Sequence, residues 1–339
     1  MIDSHKQNLE YPAHIADSVT VVIVNWNCAD VLGKCIDHLL KLSLVPGLIL
    51  IMDNGSQDDS LSLLPANHRI RVCRLNSNLG FAAANNRALF ECTTEYIALL
   101  NPDAFPATDW LENLLSAARI NPDVVAFGSL QLCAENPDLI DGAGDIYHVS
   151  GLVWRDRHRT AVMPSDKLDN KPIFSPCAAA ALYRRQLLID IGGFDEDFFC
   201  YIEDIDLGFR LQLAGHKALL VANAVVRHVG SASTGGQSSN FCVYQGHRNL
   251  VWAYIKNMPG FLIWLFLPLH LGLNLFSLCY FAIKGQGRII LRAKIDACKG
   301  IQKMWQKRKI IQTQRSASTL EILKMLNKGF IFNKNKQHS

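Results

Sequence analysis

VTVVIVNWN, residues 19–27, opens with six consecutive β-branched residues and closes on polar ones. A run this continuous suits a strand buried on both faces of a parallel sheet. The polar residues Asn25, Trp26 and Asn27 then stand at its carboxyl end. Downstream, Ala29–Leu42 repeats apolar residues at helical spacing (Val31, Leu32, Ile36, Leu39, Leu40). Residues 47–52 (GLILIM) predict a second buried strand that ends at Asp53-Asn54-Gly55-Ser56. A short helix is expected over 58–64, a third strand over 70–75, a loop over 76–81 and a helix over 82–92. A fourth strand over 96–100 ends at Asn101-Pro102-Asp103, followed by a helix over 110–120 and a strand over 124–127. Strands and helices alternating at such short intervals predict an α/β domain with a mainly parallel sheet.

Ligands of open α/β sheets sit outside the carboxyl ends of the strands. Asn25, Asp53, Asn76 and Asp103 fall at four successive strand ends and are read as one ligand-binding rim. Each alone would be an ordinary turn former. No GxGxxG follows the first strand and no GxxxxGK[ST] occurs, so neither a dinucleotide dehydrogenase nor a P-loop enzyme is supported. A nucleotide held by asparagines, carboxylates and a divalent ion remains, with Asp103 the natural hard-cation ligand.

Residues 130–171 are less regular, and the basic run Arg155, Arg157, His158 and Arg159 is read as a solvated loop, with binding of an anionic acceptor the alternative. Residues 175–183 (SPCAAAALY) pack a core strand or lie against the ligand. GGFDEDFFCYIEDIDLGFR, residues 192–210, crowds acids among aromatics. Carboxylates in such surroundings are paired, ligating or working. Asp206 and Arg210, four apart, predict an ion pair along a helix, which leaves Asp204 free for another task. Two short strands at 218–221 and 224–226 deliver His228 and a Gly/Ser-rich loop, 230–240, that would close over a ligand.

With 339 residues and a net charge of +4, the chain has room for one large domain or for one domain with an appendage and gives no reason to expect nucleic acid. Its ten cysteines are scattered without a CxxC, as free thiols in a reducing compartment would be. The first 18 residues form a polar tail without an apolar signal core. Residues 261–283 carry no formal charge, and the segment after them is basic, with Lys284, Arg288, Arg292, Lys294 and Lys299 against Asp296. That charge balance favours attachment to an anionic cytoplasmic membrane surface over a true span.

Taken together, VTVVIVNWN (19–27), DNGSQDDS (53–60), NSNLGFAAANN (76–86), LLNPDA (99–104), GGFDEDFFCYIEDIDLGFRLQLAG (192–215) and VVRHVGSAS (225–233) resemble the family-two glycosyltransferases of GT-A fold, especially bacterial rhamnosyltransferase-like members. The resemblance covers about 20–233. It implies a Rossmann-like GT-A domain over 19–245 with a mainly parallel central sheet, while hydropathy and charge make 246–315 an expected helical membrane-attachment region and 316–339 a polar tail. The resemblance also implies that Asn25, Asn27, Asp53, Asn78, Gly80 and Asn101 hold the nucleotide-sugar. Asp103 and His228 would bind a divalent cation, magnesium or manganese, and Asp204 would be the catalytic base. Asn101 stands where the strict DxD motif has its first Asp. The implied activity is inverting transfer of a sugar, best read as L-rhamnose from dTDP-rhamnose, to a polyprenyl-diphosphate-linked glycan at the cytoplasmic face of a bacterial inner membrane. A UDP-dependent hexosyl- or galactofuranosyltransferase is the alternative, and a non-catalytic sugar-nucleotide binding protein a third reading.

Overall fold

A computed structural model describes residues 13–162, 169–230, 236 and 238–329. Residues 1–12 and 330–339 of the expected tails, and most of the 230–240 loop, lie outside the described residues. Strand β1 (Val19–Asn25) pairs in parallel with β2 (Leu48–Asp53), and β2 with β3 (Ile70–Arg74). On its other side β1 pairs in parallel with β4 (Tyr96–Leu100). Alternate β1 residues enter two different cores. Val19, Val21 and Ile23 pack under α1 (Ala29–Leu40) and, beyond β5 (Ala104–Pro106), α3 (Trp110–Ile120). Val22 packs under α2 (Phe81–Glu91). Burial on both faces is what the unbroken β-branched run required.

The sheet is mixed rather than mainly parallel, which corrects the expectation for its second half. The long strand β6 (Val124–Cys133) carries β7 (Ile140–Gly142) antiparallel on it. A separate hairpin of β8 (Asp145–Tyr147) and β9 (Val153–Arg155) follows. After β10 (Lys171–Ile173), β11 (Ala180–Arg184) inserts antiparallel between β4 and β6. Helices α4 (Arg185–Asp190) and α5 (Glu203–Leu213) lead to β12 (Lys217–His228). The two short strands expected at 218–226 are this one strand, parallel to β6 and interrupted by a register shift between Val221 and Val225.

The C-terminal third is not a separable appendage. α6 (Asn240–Asn257) crosses the expected boundary at 245 and buries Trp252 and Ala253 with Phe198, Ala297 and Met304. The apolar run 261–283 divides at Phe266 into α7 (Leu262–Leu265) and the 17-residue α8 (Leu267–Ile283). Among the described residues no helix is long and apolar enough to cross a membrane. α9 (Gly287–Lys299) and α10 (Ile301–Thr313) pack back on α6. α11 (Thr319–Met325) falls inside the expected polar tail, yet Ile322 and Leu326 are buried in one cluster with Tyr147 and Phe209.

Candidate active site

The carboxyl ends of β1, β2 and β4 open onto a cavity of about 550 Å³. Its walls include Asn54, Asn78, Gly80, Asn101 and Asp103 from the first half, and Asp145, Arg155, Cys177, Glu203, Asp204 and His228 from the second.

Asn25 and Asp53 lie beneath this rim rather than on it. They face each other in the β1–β2 register, and Asn25 is wholly buried. Its Nδ2 donates to Asp53 Oδ1 at 3.0 Å, Ser56 Oγ at 3.0 Å and Ser60 Oγ at 2.8 Å. Neither residue lines the cavity; the pair ties the 53–60 loop to the strand ends. Asn27 likewise caps that loop, its Oδ1 accepting from the Gln57 amide at 2.8 Å. The contact the sequence reading missed is Asn54, next to the Asp53 it selected. Asn54 Nδ2 donates to Asn78 Oδ1 at 2.9 Å, and Asn54 Oδ1 accepts from the Leu79 amide at 2.9 Å. The same loop turns at Gly80, φ +88°, where a Cβ would stand 2.6 Å from the Phe199 ring and carbonyl oxygen. Only glycine allows that approach.

Asp103 and His228, 125 positions apart in sequence, meet because β5 pairs antiparallel with β12, Ala104 opposite His228. His228 Nε2 is buried without a hydrogen-bond partner and faces Asp103 Oδ1 at 3.4 Å. Its Nδ1 is 2.8 Å from Asp141 Oδ2. Burial would lower the imidazole pKa, but the flanking carboxylates of Asp103 and Asp141 outweigh it and hold the pKa above the ordinary value. Asp141 also pairs with Arg155. Burial pushes the Asp141 pKa up, yet the His228 hydrogen bond and the Arg155 charge bring it below the usual carboxylate range. Arg155 is therefore engaged inside the site, which corrects its reading as part of a solvated loop. An orphaned imidazole nitrogen facing a carboxylate oxygen, with a carboxylate behind the ring, is a donor set that fits a divalent cation.

On the opposite wall, the 198–202 segment is strained. Phe199, Tyr201 and Ile202 all have φ between +62° and +71°, and such conformations persist only where the surroundings over-determine them. Asn249 of α6, fully buried, provides that constraint. Its Nδ2 donates to the carbonyls of Phe198 (2.8 Å), Cys200 (3.1 Å) and Tyr201 (2.7 Å).

The three acids that follow separate into distinct roles. Asp206 is completely buried and bonded to Arg210 (2.9 Å), Lys256 (2.8 Å) and Asn257 (2.8 Å), which confirms the expected ion pair and removes it from the cavity. Asp204 lines the cavity. Its Oδ1 accepts from the Ile205 amide at 2.8 Å and its Oδ2 from the Ala178 amide at 3.1 Å. Burial raises its pKa, and these two donors moderate the rise. Glu203 also lines the cavity, and burial followed by the Asp204 charge pushes its pKa well up. Gly208 allows α5 to lie this close, since a Cβ there would meet Ser175 Oγ at 2.2 Å.

Residues 20–192 match the family model described as Glycosyl transferase family 2. Over 244 residues the chain is 28% identical to an N-acetylglucosaminyl-diphospho-decaprenol L-rhamnosyltransferase of Mycobacterium tuberculosis, spanning 65% of this chain and 79% of the relative. Over 216 residues it is 26% identical to the O-antigen chain rhamnosyltransferase RfbN of Salmonella typhimurium, spanning 62% and 66%. Among solved structures, GalNAc-T7 with UDP, GalNAc and Mn2+ superposes with a TM-score of 0.58 at 16% identity, over 70% of this chain and 48% of that one. The mannosyltransferase PcManGT from Pyrobaculum calidifontis, in complex with GDP-Man and Mn2+, gives 0.51 at 16% identity, over 88% and 85%. At these identities the two structures speak for the shared GT-A fold.

Proposed function

The chain belongs to glycosyl transferase family 2, and from that premise we propose that it is an inverting enzyme of cell-surface polysaccharide synthesis, moving L-rhamnose from dTDP-rhamnose to a lipid-linked glycan. The observation that carries this reading is one cavity holding Asp204 on one wall and the Asp103–His228 pair on another. Asn78, Gly80 and Asn101 line the donor side. Asp204 takes the proton of the incoming hydroxyl, whose oxygen bonds to the anomeric carbon while the bond from that carbon to the diphosphate oxygen breaks. One displacement inverts the anomeric configuration and needs no covalent glycosyl-enzyme. Asp103 and His228 would hold magnesium or manganese, which when bound supplies positive charge against the leaving diphosphate.

The two rhamnosyltransferase relatives support rhamnose, and the diphospho-decaprenol in one name supports a polyprenyl-diphosphate acceptor. Such an acceptor would be met at a membrane, which supports our reading of an enzyme acting at the cytoplasmic face of a bacterial inner membrane. In accord with that, α8 exposes Leu269, Leu271, Leu275, Phe276 and Ile283, and the exposed cations Lys284, Arg288 and Arg292 follow directly. An apolar helix face flanked by cations suits an anionic leaflet.

Titration of dTDP, UDP and GDP, with and without Mn2+ or Mg2+, tests the donor reading. Metal-dependent dTDP binding that falls at least tenfold in Asp103→Ala is expected; a preference for UDP would replace the rhamnose reading with a hexosyl or galactofuranosyl one. Absence of binding by folded protein would end the donor-site assignment. Co-sedimentation with vesicles containing anionic lipid, but not with neutral ones, is expected from the α8–α9 face. Equal recovery with both, or with neither, counts against the membrane assignment.

A further inference from the structure

We propose that Asp145 is an acceptor-binding residue, a second carboxyl that grips the acceptor's sugar ring beside Asp204; this rests on the transferase reading above. Asp145 opens β8, and its amide donates to the Ser175 carbonyl at 2.9 Å, fixing the hairpin against the segment that carries Cys177 and Ala178. The residue is 93% buried, being 7% exposed, and lines the cavity. Its Oδ2 has no hydrogen-bond partner. Leaving a buried polar atom unsatisfied costs about 1–3 kcal/mol, a cost that a ligand hydroxyl would remove.

Asp145, Cys177 and Asp204 each bring a polar atom within 4.8 Å of the others'. Two carboxyls this close do not both ionise cheaply. The negative charge belongs on Asp204, which two backbone amides stabilise. Burial and then the Asp204 charge raise the Asp145 pKa well above the carboxylate range. Asp145 therefore holds a proton more readily than a free carboxyl, and when it does it offers one O–H donor with acceptor capacity beside it. Burial raises the Cys177 pKa to about 12, so its thiol stays neutral too. These groups already have the Arg155 guanidinium of the same cavity as their cation, so the hydroxyls of an uncharged polyol suit them better than a second cation. Trp154, on the β9 side of the same hairpin, also lines the cavity and provides a flat apolar surface. A flat apolar face with a few convergent polar groups is the recognition pattern of a polyhydroxylated ring.

The test is titration of the full-length protein, in the presence of dTDP and Mn2+, with a water-soluble, short-chain N-acetylglucosaminyl diphospholipid. Asp145→Ala should raise the Kd of this probe at least tenfold. Asp145→Asn, which keeps a donor and an acceptor in place, should stay within threefold of the native protein, and dTDP binding should be the same in all three. The inference is overturned if Asp145→Ala binds the probe normally, if dTDP binding weakens in parallel, or if the native protein does not bind the probe. A loss of Mn2+ affinity in Asp145→Ala also overturns it, in favour of a cation site. Failure of the transferase reading looks different: the native chain then turns over none of a panel of dTDP-, UDP- and GDP-sugars, whatever Asp145 does.

Discussion

Glu203, Asp204 and Asp206 are three carboxylates within four positions of one another, yet their surroundings give them different work. Asp206 is enclosed by Arg210, Lys256 and Asn257, and Asp204 opens into the cavity between two backbone donors. Asp204→Asn should therefore lower kcat by about 10²–10⁴, the usual range for a lost general base, while nucleotide binding is retained. A change of less than tenfold in steady-state transfer would remove Asp204 from that role. The pH profile carries a sign. The base works ionised and burial raises its pKa, so activity should rise with pH through a limb lying above the ordinary carboxylate value of about 3.9. A limb at or below that value would contradict the environment described. The family resemblance of residues 192–215 pointed to Asp204 from sequence, and the structure puts it on the cavity wall. Asp141 and Asp145 were not legible, because a lone Asp in an irregular segment carries no periodic signal.

Elements, rather than single contacts, set the shape of the site. The β5–β12 pairing brings Asp103 to His228, and α6 holds the strained 198–202 wall through Asn249. Asn249→Ala removes the side-chain donor shared by the carbonyls of Phe198, Cys200 and Tyr201, which should cost about 1–3 kcal/mol of stability. It should also speed amide exchange across 198–203 while β1 stays protected. Exchange unchanged in that segment, measured by mass spectrometry, would show that the wall is held by something else. The strand runs at 19–24 and 48–52 were legible because burial on both faces leaves only apolar residues. The antiparallel insertion of β11 was not, since residue pattern records burial and is silent on strand direction.

At the scale of the molecule, the C-terminal third completes the catalytic domain. Lys256 of α6 is 1% exposed and reaches both Asp195 and Asp206; Lys307 of α10 reaches Asp195 and Asp197. Lys256→Met would leave Asp206 and Asp195 buried with one cation fewer, and removing one partner of a buried pair costs about 3–5 kcal/mol. Urea unfolding should register a loss of that size; one below 1 kcal/mol would mean the helices merely rest on the domain. The sequence by itself determined the α/β class, the succession of strands and helices, and the amphiphilic character of the C-terminal third. Each is written in local spacing, which propensity and burial impose within one element. The tertiary structure alone decided that Asn25 and Asp53 support the rim from below, that Asp141 stands behind His228, that Asp145 faces Asp204, and that 316–329 is packed against the domain. Those facts depend on which strands pair and in which direction, and on contacts between residues up to 181 positions apart, for which a linear pattern holds no record.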